Sequence, residues 1–506
     1  MLMVYRNTIQ RSSLPLSIPS CWRRVGVFLL AVVTISLSQA FADQPNVLFI
    51  AADDLRNDLN CYGATHVSTP NFDRLAETSL VFDRAYCQQA VCHPSRASLM
   101  TGKLPDTIGV TNLYTDLRVA APNVVTLPQH FRKHGYVAES YGKIFHAAHG
   151  HNGDPGSWSI PPHRFKGGEQ YVIPENRELR SANRAKQAEA EAAGKSLAGP
   201  KNGPAFERAA DSYTEYRDGA MILDARNGLK RLAEGSEPFF LAVGFSKPHL
   251  PFNAPEEYWK LYDGTNGPKL PDNPYPPRGV TQYSMHTNGE LRSYAGVPWS
   301  GNISDELTLD LRQGYYACVS YIDSLLGDLL TDLDTLGLRE KTIIVFWSDH
   351  GFKLGEHGLW HKHTNFELDC RVPFMISAPG YRDGNRSGSL VELVDIFPTL
   401  CDLAGLPIPR DLEGMSLLPV LENPKHAIRP YAQSQYPRGR NIMGYAIKTD
   451  RFRYVEWTEM DSGEVVAKEL YDHYIDVAEN INQADNPSYR SELPRLSAWV
   501  KESRSR

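Results

Sequence analysis

Four apolar runs along the chain each end in polar residues. They are NVLFIAADD from Asn46, FFLAVGFSKPH from Phe239, TIIVFWSDH from Thr342 and PFMISAPG from Pro373. Apolar runs without alternation are typical of strands buried on both faces of a parallel sheet. Helical patterns separate the runs, so we expect a doubly wound α/β sheet, in which chemistry lies beyond the carboxyl ends of the strands.

The clearest helix is predicted from Ser304, a good N-cap followed by acidic residues, to about Leu336, and Gly337 ends it. Residues 181–203 are rich in Ala, Lys and Glu without a clear apolar face, which indicates a solvated helix or an insertion loop. An irregular connection is marked by Pro268, Pro271, Pro274, Pro276 and Pro277.

Beyond about residue 425 the pattern changes to short strands, such as YAIKTDRFRYVEW from Tyr445. We therefore predict a catalytic domain over residues 43–425 and a smaller α+β subdomain over residues 426–506. The chain shows no internal repeat.

Residues 1–42 have the composition of a secretory signal peptide. Four arginines and no acidic residue precede an apolar core from Val25 to about Leu37, and Ala40-Phe41-Ala42 forms a cleavage site. The apolar core is shorter than the ~20 residues of a membrane-spanning helix. We expect cleavage after Ala42, no membrane span afterwards, and export to the periplasm, cell surface or medium, or to the lysosome in a eukaryote.

Composition and charge exclude several classes of protein. With 42% apolar and 22% charged residues, the chain is neither disordered nor fibrous. The net charge of -6, without a long basic run, argues against nucleic-acid binding. Loss of the four signal-peptide arginines would take it from -6 to -10, so an anion site must be a local positive pocket. Seven cysteines without C-x-x-C predict no disulfide framework, although a Cys370–Cys401 pair stays open.

Acidic residues follow two of the predicted strands. Asp53 and Asp54 end the first run, and Asp349 and His350 end the third. Adjacent carboxylates repel each other unless a cation is present, and converging carboxylates suit Ca²⁺ or Mg²⁺. The alternative is a helix cap beside a surface acid.

The segment CHPSR, from Cys92 to Arg96, is followed by ASLMTGKLPDTIG. Pro94 and the apolar residues after it place Cys92 at a helix N-terminus, a position that favours negative charge on or near it. Cys92 is then either a small buried apolar side chain or a nucleophile, with Arg96 about one turn away to hold an anion.

C-x-P-S-R followed by T-G-x-x-P resembles the signature of the type I sulfatases, in which an enzyme oxidises the motif cysteine to formylglycine. His93 departs from the small residue usual at its position. Further segments are similar to the iduronate-2-sulfatase branch of that family, and the resemblance extends from about residue 45 to about residue 475. They are ADDLRNDLNCYG from Ala52, GKIFH from Gly142, FSKPHLPF from Phe245, SDHGFKLGEHGLWHK from Ser348 and ELYDHYIDVAEN from Glu469.

The resemblance implies an alkaline-phosphatase-like fold and one Ca²⁺ per chain, held by Asp53, Asp54, Asp349, His350 and formylglycine 92. It further implies that Arg96 orients the hydrated aldehyde and that Lys143 and Lys362 bind the sulfate oxygens. His146 is then expected near the formylglycine hydroxyls and His249 near the leaving oxygen. Lys247 is expected to contact a substrate anion. The implied partners are a sulfated carbohydrate, with the 2-O-sulfate of a uronic acid as the specific expectation, and a maturing enzyme.

The chemistry suits these residue types. A sulfate ester is an anion whose charge a metal and cationic side chains neutralise, and a sugar alkoxide leaves poorly without a general acid. A hydrated aldehyde has a second hydroxyl that can expel the sulfate after transfer, which a thiol or serine lacks. The alternatives are a phosphonate or phosphodiester hydrolase with the same site, an inactive carbohydrate-binding protein, and a thiol-nucleophile hydrolase.

The sequence does not decide the roles of one further lysine and three histidines near Asp349. His357 and His361 have the i, i+4 spacing of a zinc pair, but the H-E-x-x-H pattern is missing. Together with His363 they are expected to line the pocket or cap the loop. Lys353 is expected either to be solvated or to contact substrate.

Overall fold

A central eight-stranded sheet contains all four apolar runs. The computed structural model describes residues 44–146, 148–163, 167–209 and 213–504. The predicted signal peptide and its cleavage site lie outside these residues. In the described part of the chain, no helix combines the length and the apolar character that crossing a membrane requires.

The sheet is mixed but mostly parallel, as predicted. The strands in chain order are β1 (Asn46–Asp53), β2 (Leu80–Tyr86), β3 (Val137–Gly142), β4 (Phe206–Ala209), β5 (Phe239–Pro248), β6 (Phe252–Pro255), β7 (Thr342–Ser348), β8 (Lys353–Leu354), β9 (Trp360–His361), β10 (Arg371–Val372), β11 (Phe374–Ser377), β12 (Arg386–Glu392), β13 (Ala432–Arg438), β14 (Ile442–Lys448), β15 (Phe452–Glu459) and β16 (Val465–Asp472). The sheet order is β10-β2-β11-β7-β1-β5-β3, with β12 beside β2.

Strands β7, β1, β5 and β3 are parallel neighbours, so their carboxyl ends meet at one edge. The fourth apolar run forms β11, which is antiparallel to both β7 and β2. Only short elements and loops connect β7 to β11, without the long helix that usually forms the crossover between parallel strands.

Helices cover both faces of the sheet. They are α1 (Pro70–Ala76), α2 (Cys92–Thr101), α3 (Pro105–Ile108), α4 (Leu117–Ala120), α5 (Leu127–Lys133), α6 (Pro174–Ala192), α7 (Arg217–Ala233), α8 (Glu256–Lys260), α9 (Asp305–Thr335), α10 (Glu367–Cys370), α11 (Ile396–Leu403), α12 (Leu418–Glu422) and α13 (Leu493–Ser503). On β1, Leu48 and Ile50 pack in the core with α7 and α9, whereas Val47 and Phe49 pack in the core with α2, α5 and α11. Burial of both faces explains why these strands are continuously apolar.

Helix α9 confirms the clearest helix prediction. The Ser304 hydroxyl accepts a hydrogen bond from the Leu307 amide at 3.2 Å, and acidic residues occupy the first turn. Gly337 follows the helix with φ of 66°, a conformation that glycine adopts without strain. The capping chemistry therefore determines both ends of this helix.

The C-terminal part confirms the predicted change of pattern. Strands β13 to β16 form a four-stranded antiparallel meander, and α13 packs against it. The stretch 181–203 is helical as far as Ala192 and irregular beyond it, and the proline-rich connection has neither α-helix nor strand over residues 267–281. The domain boundary near residue 425 stays a prediction.

The six cysteines in the described residues are all free, including Cys370 and Cys401. This finding agrees with the expectation that no disulfide framework holds the fold. The Cys370–Cys401 disulfide that the sequence left possible is not formed.

Gly142 should be irreplaceable, because it ends β3 where that strand touches β5. Its φ is 74°, and a Cβ there would lie 2.1 Å from the Gly244 carbonyl oxygen. We expect Gly142→Ala to lower the free energy of unfolding by about 3 kcal/mol in urea denaturation. The matched control is Gly63→Ala, with φ of 90° and no heavy atom within 4 Å, which should cost about 1 kcal/mol. Equal losses in the two variants would contradict the argument.

Candidate active site

Each of four neighbouring strands brings chemically active residues to the same edge of the sheet. Asp53 ends β1, Lys143 follows β3, His249 follows β5, and Asp349 with His350 follows β7. Because the four strands are parallel, side chains far apart in sequence meet there, as the sequence predicted.

Arg96, on the first turns of α2, connects these strand ends. Its guanidinium is fully buried, and Nε donates to Asp349 Oδ2 at 2.8 Å while Nη2 donates to Asp53 Oδ1 at 3.2 Å. The remaining N–H groups donate to main-chain carbonyls of Ala52 and of the segment just after β3. Every face of this buried cation therefore has an acceptor, which its burial requires.

The two adjacent aspartates ionise differently. Burial alone would raise the pKa of Asp53, but Lys143, His249 and Arg96 hold it well below its ordinary value. Burial raises the pKa of Asp54 above its ordinary value, although His249 and Lys362 oppose the rise. Asp54 also has φ of 65°, a strained conformation for a non-glycine residue of the kind found at functional sites.

The donor set around His350 fits a metal cation. His350 Nδ1 donates to the Gly351 carbonyl at 2.9 Å, which orients the ring so that Nε2 faces the acidic side chains. Nε2 lies 3.4 Å from Asp54 Oδ1, 3.6 Å from Asp349 Oδ2 and 3.3 Å from the Cys92 sulfur. Nε2, two carboxylates and the sulfur thus converge as possible metal ligands, and metal-binding histidines commonly donate their other N–H to a carbonyl.

Ligand atoms of Asp53, Cys92, Asp349 and His350 lie within 4.8 Å of one another, and those of Asp53, Asp54, Cys92 and His249 form an overlapping group. The residues that the sequence predicted as metal ligands thus share one site. Carboxylate oxygens favour a hard divalent cation there.

Cys92 is the first residue of α2 and is only 3% exposed. Its sulfur lies 3.6 Å from Lys143 Nζ. Burial, with Asp53 close by, raises the pKa of the thiol well above its ordinary value, which outweighs the helix N-terminus. An unmodified Cys92 is therefore a neutral thiol, which disfavours a thiolate nucleophile.

Lys362 reaches the site from the loop after β7. Its Nζ donates to Asp54 Oδ2 and to Glu290 Oε1, both at 2.9 Å. The loop is anchored by Glu356, which accepts from Arg56 at 2.9 Å, from Arg312 at 3.3 Å and from the Leu354 amide at 2.6 Å.

His249 carries protons on both ring nitrogens in this arrangement. Nδ1 lies 2.7 Å from the Leu250 carbonyl and Nε2 lies 3.0 Å from Glu290 Oε1, and both oxygens are acceptors. Burial alone would lower the pKa of His249, but Asp54 and Glu290 raise it above its ordinary value. These contacts favour the protonated ring, the form that can donate a proton.

Glu290 is the site residue that sequence reasoning missed. It bridges Lys362 and His249 from the irregular segment between β6 and α9. A single acid in a segment without periodicity or a family motif gives no signal from which it could have been found.

Three predicted residues lie near the site without contacting its centre in the described contacts. His146 Nε2 bonds to His149 Nδ1 at 3.0 Å. Lys247 Nζ donates to the carbonyls of His249 at 3.2 Å and Pro251 at 2.5 Å. The expectation for Lys353 is wrong, because it is fully buried in an ion pair with Asp369 at 2.6 Å, neither solvated nor free to bind substrate. The ion pair with Asp369 offsets part of the cost of burying the ammonium group, although burial still lowers the pKa of Lys353.

The three loop histidines divide into two groups. His357 Nε2 bonds to the Ala478 carbonyl at 2.8 Å and so fastens the loop. Ligand atoms of His361 and His363 lie within 4.8 Å of one of Glu290, at the edge of the site. No group of metal-competent side chains in the described chain contains both His357 and His361.

Comparison with known proteins identifies the family. The family model described as Sulfatase matches residues 45–406, and the one described as N-sulphoglucosamine sulphohydrolase, C-terminal, matches residues 355–506. The chain is 34% identical over 528 residues to iduronate 2-sulfatase of Mus musculus, with 89% of this chain and 92% of the relative covered. It is 36% identical over 500 residues to iduronate 2-sulfatase of Homo sapiens, with 84% and 87% covered.

Solved structures show the same fold. A protein in complex with its substrate D-glucosamine-2-N,6-O-disulfate superposes with a TM-score of 0.71 at 22% identity, covering 91% of this chain and 98% of its own. The phosphonate monoester hydrolase of Agrobacterium radiobacter superposes with a TM-score of 0.69 at 24% identity, covering 90% and 96%. The expected alkaline-phosphatase-like fold, with its C-terminal antiparallel sheet, is confirmed.

The Glu356 anchor should make stability depend on pH. Burial alone would raise the pKa of Glu356, but Arg56 and Arg312 lower it from 4.5 to about 2. The carboxylate therefore stabilises the folded chain above pH 4.5, and this contribution is lost as the pH falls toward 2. We expect Glu356→Gln to cost about 3 kcal/mol at neutral pH in urea denaturation, with the difference from wild type narrowing below pH 4.5.

The control for this prediction is Glu340→Gln, whose side chain is 85% exposed and pairs with Arg382 only at 3.8 Å. It should remain within about 0.5 kcal/mol of wild type. A cost for Glu356→Gln that stays constant down to pH 3 would rule out an ionised anchor.

Proposed function

The chain belongs to the sulfatase family, and we propose from this premise that it is an exported sulfatase that hydrolyses sulfate esters of a sulfated carbohydrate. The specific proposal is the 2-O-sulfate of a uronic acid, after the iduronate 2-sulfatases to which it is similar. Export is proposed from the signal-peptide pattern of residues 1–42.

One observation carries the proposal. Cys92 begins α2 at the carboxyl edge of the sheet, 3.3 Å from His350 Nε2 and 3.6 Å from Lys143 Nζ, inside a ring of three buried aspartates and their cations. A neutral buried thiol is a poor nucleophile there, whereas the position suits a residue that is modified before it acts.

We propose that Asp53, Asp54, Asp349, His350 and residue 92 hold one Ca²⁺. When bound, the ion would neutralise sulfate charge and lower the pKa of the attacking hydroxyl. Formylglycine at residue 92 would supply that hydroxyl as a hydrated aldehyde, prepared from Cys92 by a maturing enzyme.

The chain's own residues then divide the remaining work. Lys143 and Lys362 would bind sulfate oxygens, because their ammonium groups are held at the site by Asp53 and Asp54, respectively, at the carboxyl end of β1. Arg96 would fix the two metal-binding aspartates and the start of α2. His249, protonated on Nε2, would give its proton to the leaving sugar oxygen. His146 and Lys247 are proposed to act from the wall of the adjoining cavity.

The first test is the mass spectrum of the tryptic peptide Ala85–Arg96 from protein made in its native host. We expect residue 92 to have lost one sulfur and two hydrogens and gained one oxygen. Cys87 lies in the same peptide and is an internal control, because it should remain a thiol that alkylates after denaturation. An alkylated Cys92 in active protein would overturn the formylglycine mechanism and favour the thiol hydrolase. An intact thiol in inactive protein would favour a binding protein.

The second test separates leaving-group protonation from sulfate binding. His249→Asn should slow hydrolysis of a sugar sulfate by about 10²–10⁴-fold, because an alkoxide needs a proton to leave. Hydrolysis of 4-nitrophenyl sulfate, whose leaving group is stable as an anion, should fall far less. His357→Asn, which changes a histidine that fastens the loop outside the site, should leave the ratio of the two rates unchanged.

Equal losses on both esters would contradict the role of His249. Faster turnover of a phosphonate monoester than of any sulfate ester by the wild type would favour the phosphonate hydrolase instead.

A further inference from the structure

A cavity of about 390 Å³ extends from the proposed sulfate site toward α6. One end is lined by Asp53, Lys143 and His249, which belong to the site. The other end is lined by Arg180 and Arg184 of α6 and by Arg217 at the start of α7. A volume in this range accommodates a small ligand larger than a single sulfate group.

The arginines of α6 face the cavity as a pair. Arg180 and Arg184 are one helical turn apart, on the same face as the buried residues Asn183 and Gln187. Asn183 donates to the Asn202 carbonyl at 2.8 Å, and Gln187 donates to carbonyls of Leu197 and Gly199. These contacts hold the face of the helix, and both guanidinium groups, against the cavity wall.

Negative charge opposite these arginines is scarce. No ion pair joins Arg180 or Arg184 to an acid within the described ranges, and the buried Nε of Arg180 has no hydrogen-bond partner there. Burial lowers the pKa of Arg180, and Arg184 and Arg217 lower it further. Arg184 is exposed and Arg180 is partly buried. Like charges one turn apart destabilise a helix modestly, and a bound anion would offset this repulsion.

The acids that line the cavity are already engaged. Glu169 lies 3.8 Å from Arg177 and also acts on Arg217, where its charge opposes the fall in the pKa of that arginine, but it forms no ion pair with Arg180 or Arg184 in the described part of the chain. Asp218 accepts from the main-chain amides of Ser246 and Lys247, both at 2.9 Å. Asp53 is bound by Lys143 and Arg96 at the other end.

We propose that Arg180, Arg184 and Arg217 form a second anion subsite, which binds a carboxylate or sulfate group of the substrate other than the ester that is cleaved. The inference rests on the proposed sulfatase function and narrows it. It assigns binding residues either to the carboxylate that the proposed 2-sulfated uronate carries or to a further sulfate group on the neighbouring sugar.

The test compares substrates with one and two anionic groups. A disaccharide with a 2-sulfated uronate linked to N-sulfated glucosamine supplies the second anion, and 4-nitrophenyl sulfate lacks it. We expect Arg180→Ala and Arg184→Ala each to lower kcat/KM for the disaccharide about tenfold or more relative to that for the aryl sulfate, mainly through KM. Lys186→Ala, which removes an exposed charge from the same helix outside the cavity, should leave both values unchanged.

Two further disaccharides identify the second anion. An N-acetylated disaccharide keeps only the uronate carboxylate, and a carboxyl-reduced one keeps only the N-sulfate. If Arg180→Ala no longer lowers kcat/KM for one of these disaccharides, that disaccharide lacks the group that Arg180 binds. If the ratio of kcat/KM values is the same in wild type and both arginine variants, the subsite does not exist.

Failure of the proposed function would give a different result. Protein that carries formylglycine but hydrolyses none of these esters is not a sulfatase for this class of substrate. In that case calorimetry with sucrose octasulfate still tests the subsite, because Arg180→Ala and Arg184→Ala should weaken its binding about tenfold. Unchanged binding in both variants would overturn the subsite independently of catalysis.

Discussion

The buried guanidinium of Arg96 is the interaction on which the site depends. Asp53 and Asp349 lie at the ends of neighbouring parallel strands, and without a cation between them two buried carboxylates would repel each other. Arg96 satisfies both and also binds main-chain carbonyls after β3, so three strand ends and α2 are fixed relative to one another. Because Cys92 is one turn before Arg96, the same contacts determine where residue 92 lies. Removing one partner from such a buried group lowers the free energy of unfolding by more than the ion pair contributes, because an uncompensated charge is left behind. The members of the network therefore depend on one another.

The sequence was sufficient to predict the main-chain arrangement and the clustering of the acidic side chains with Cys92 and His350. Continuous apolar runs that end in Asp53, Asp349 and His249 predict strands whose carboxyl ends meet, and the structure shows those ends together. Side chains on irregular segments could not be predicted in the same way. Glu290 pairs with Lys362, which is distant in sequence, and Lys353 pairs with Asp369 across an irregular loop. No local pattern indicates whether a lysine pairs with an acid or faces a ligand. The antiparallel direction of β11 could not be predicted either, because an apolar run has the same pattern in either direction.

Charge is distributed unevenly in this protein. The whole chain is negative, yet cations from separate segments face a cavity that adjoins the site. A negative surface around a positive cleft focuses the field into the cleft, which attracts anionic ligands toward it. The carboxylates at the end of β1 limit this effect near Cys92, since Lys143 and Lys362 are each bound to one of them. The arginines of α6 are not compensated by an ion pair in this way within the described residues, so the positive potential is expected to be strongest at that end of the cavity.

The burial of Cys92 has a consequence for the order of events in the life of the chain. Its side chain is 3% exposed, at the start of a helix that packs in the core between the sheet and α11. An enzyme that oxidises this thiol needs the surrounding segment in its own active site, which the folded protein does not permit. On the proposed chemistry, maturation therefore competes with folding, and whichever process reaches residues 92–96 first decides whether a given molecule becomes active. The rate at which α2 docks would thus set the yield of active protein, even among molecules that all reach the same final fold.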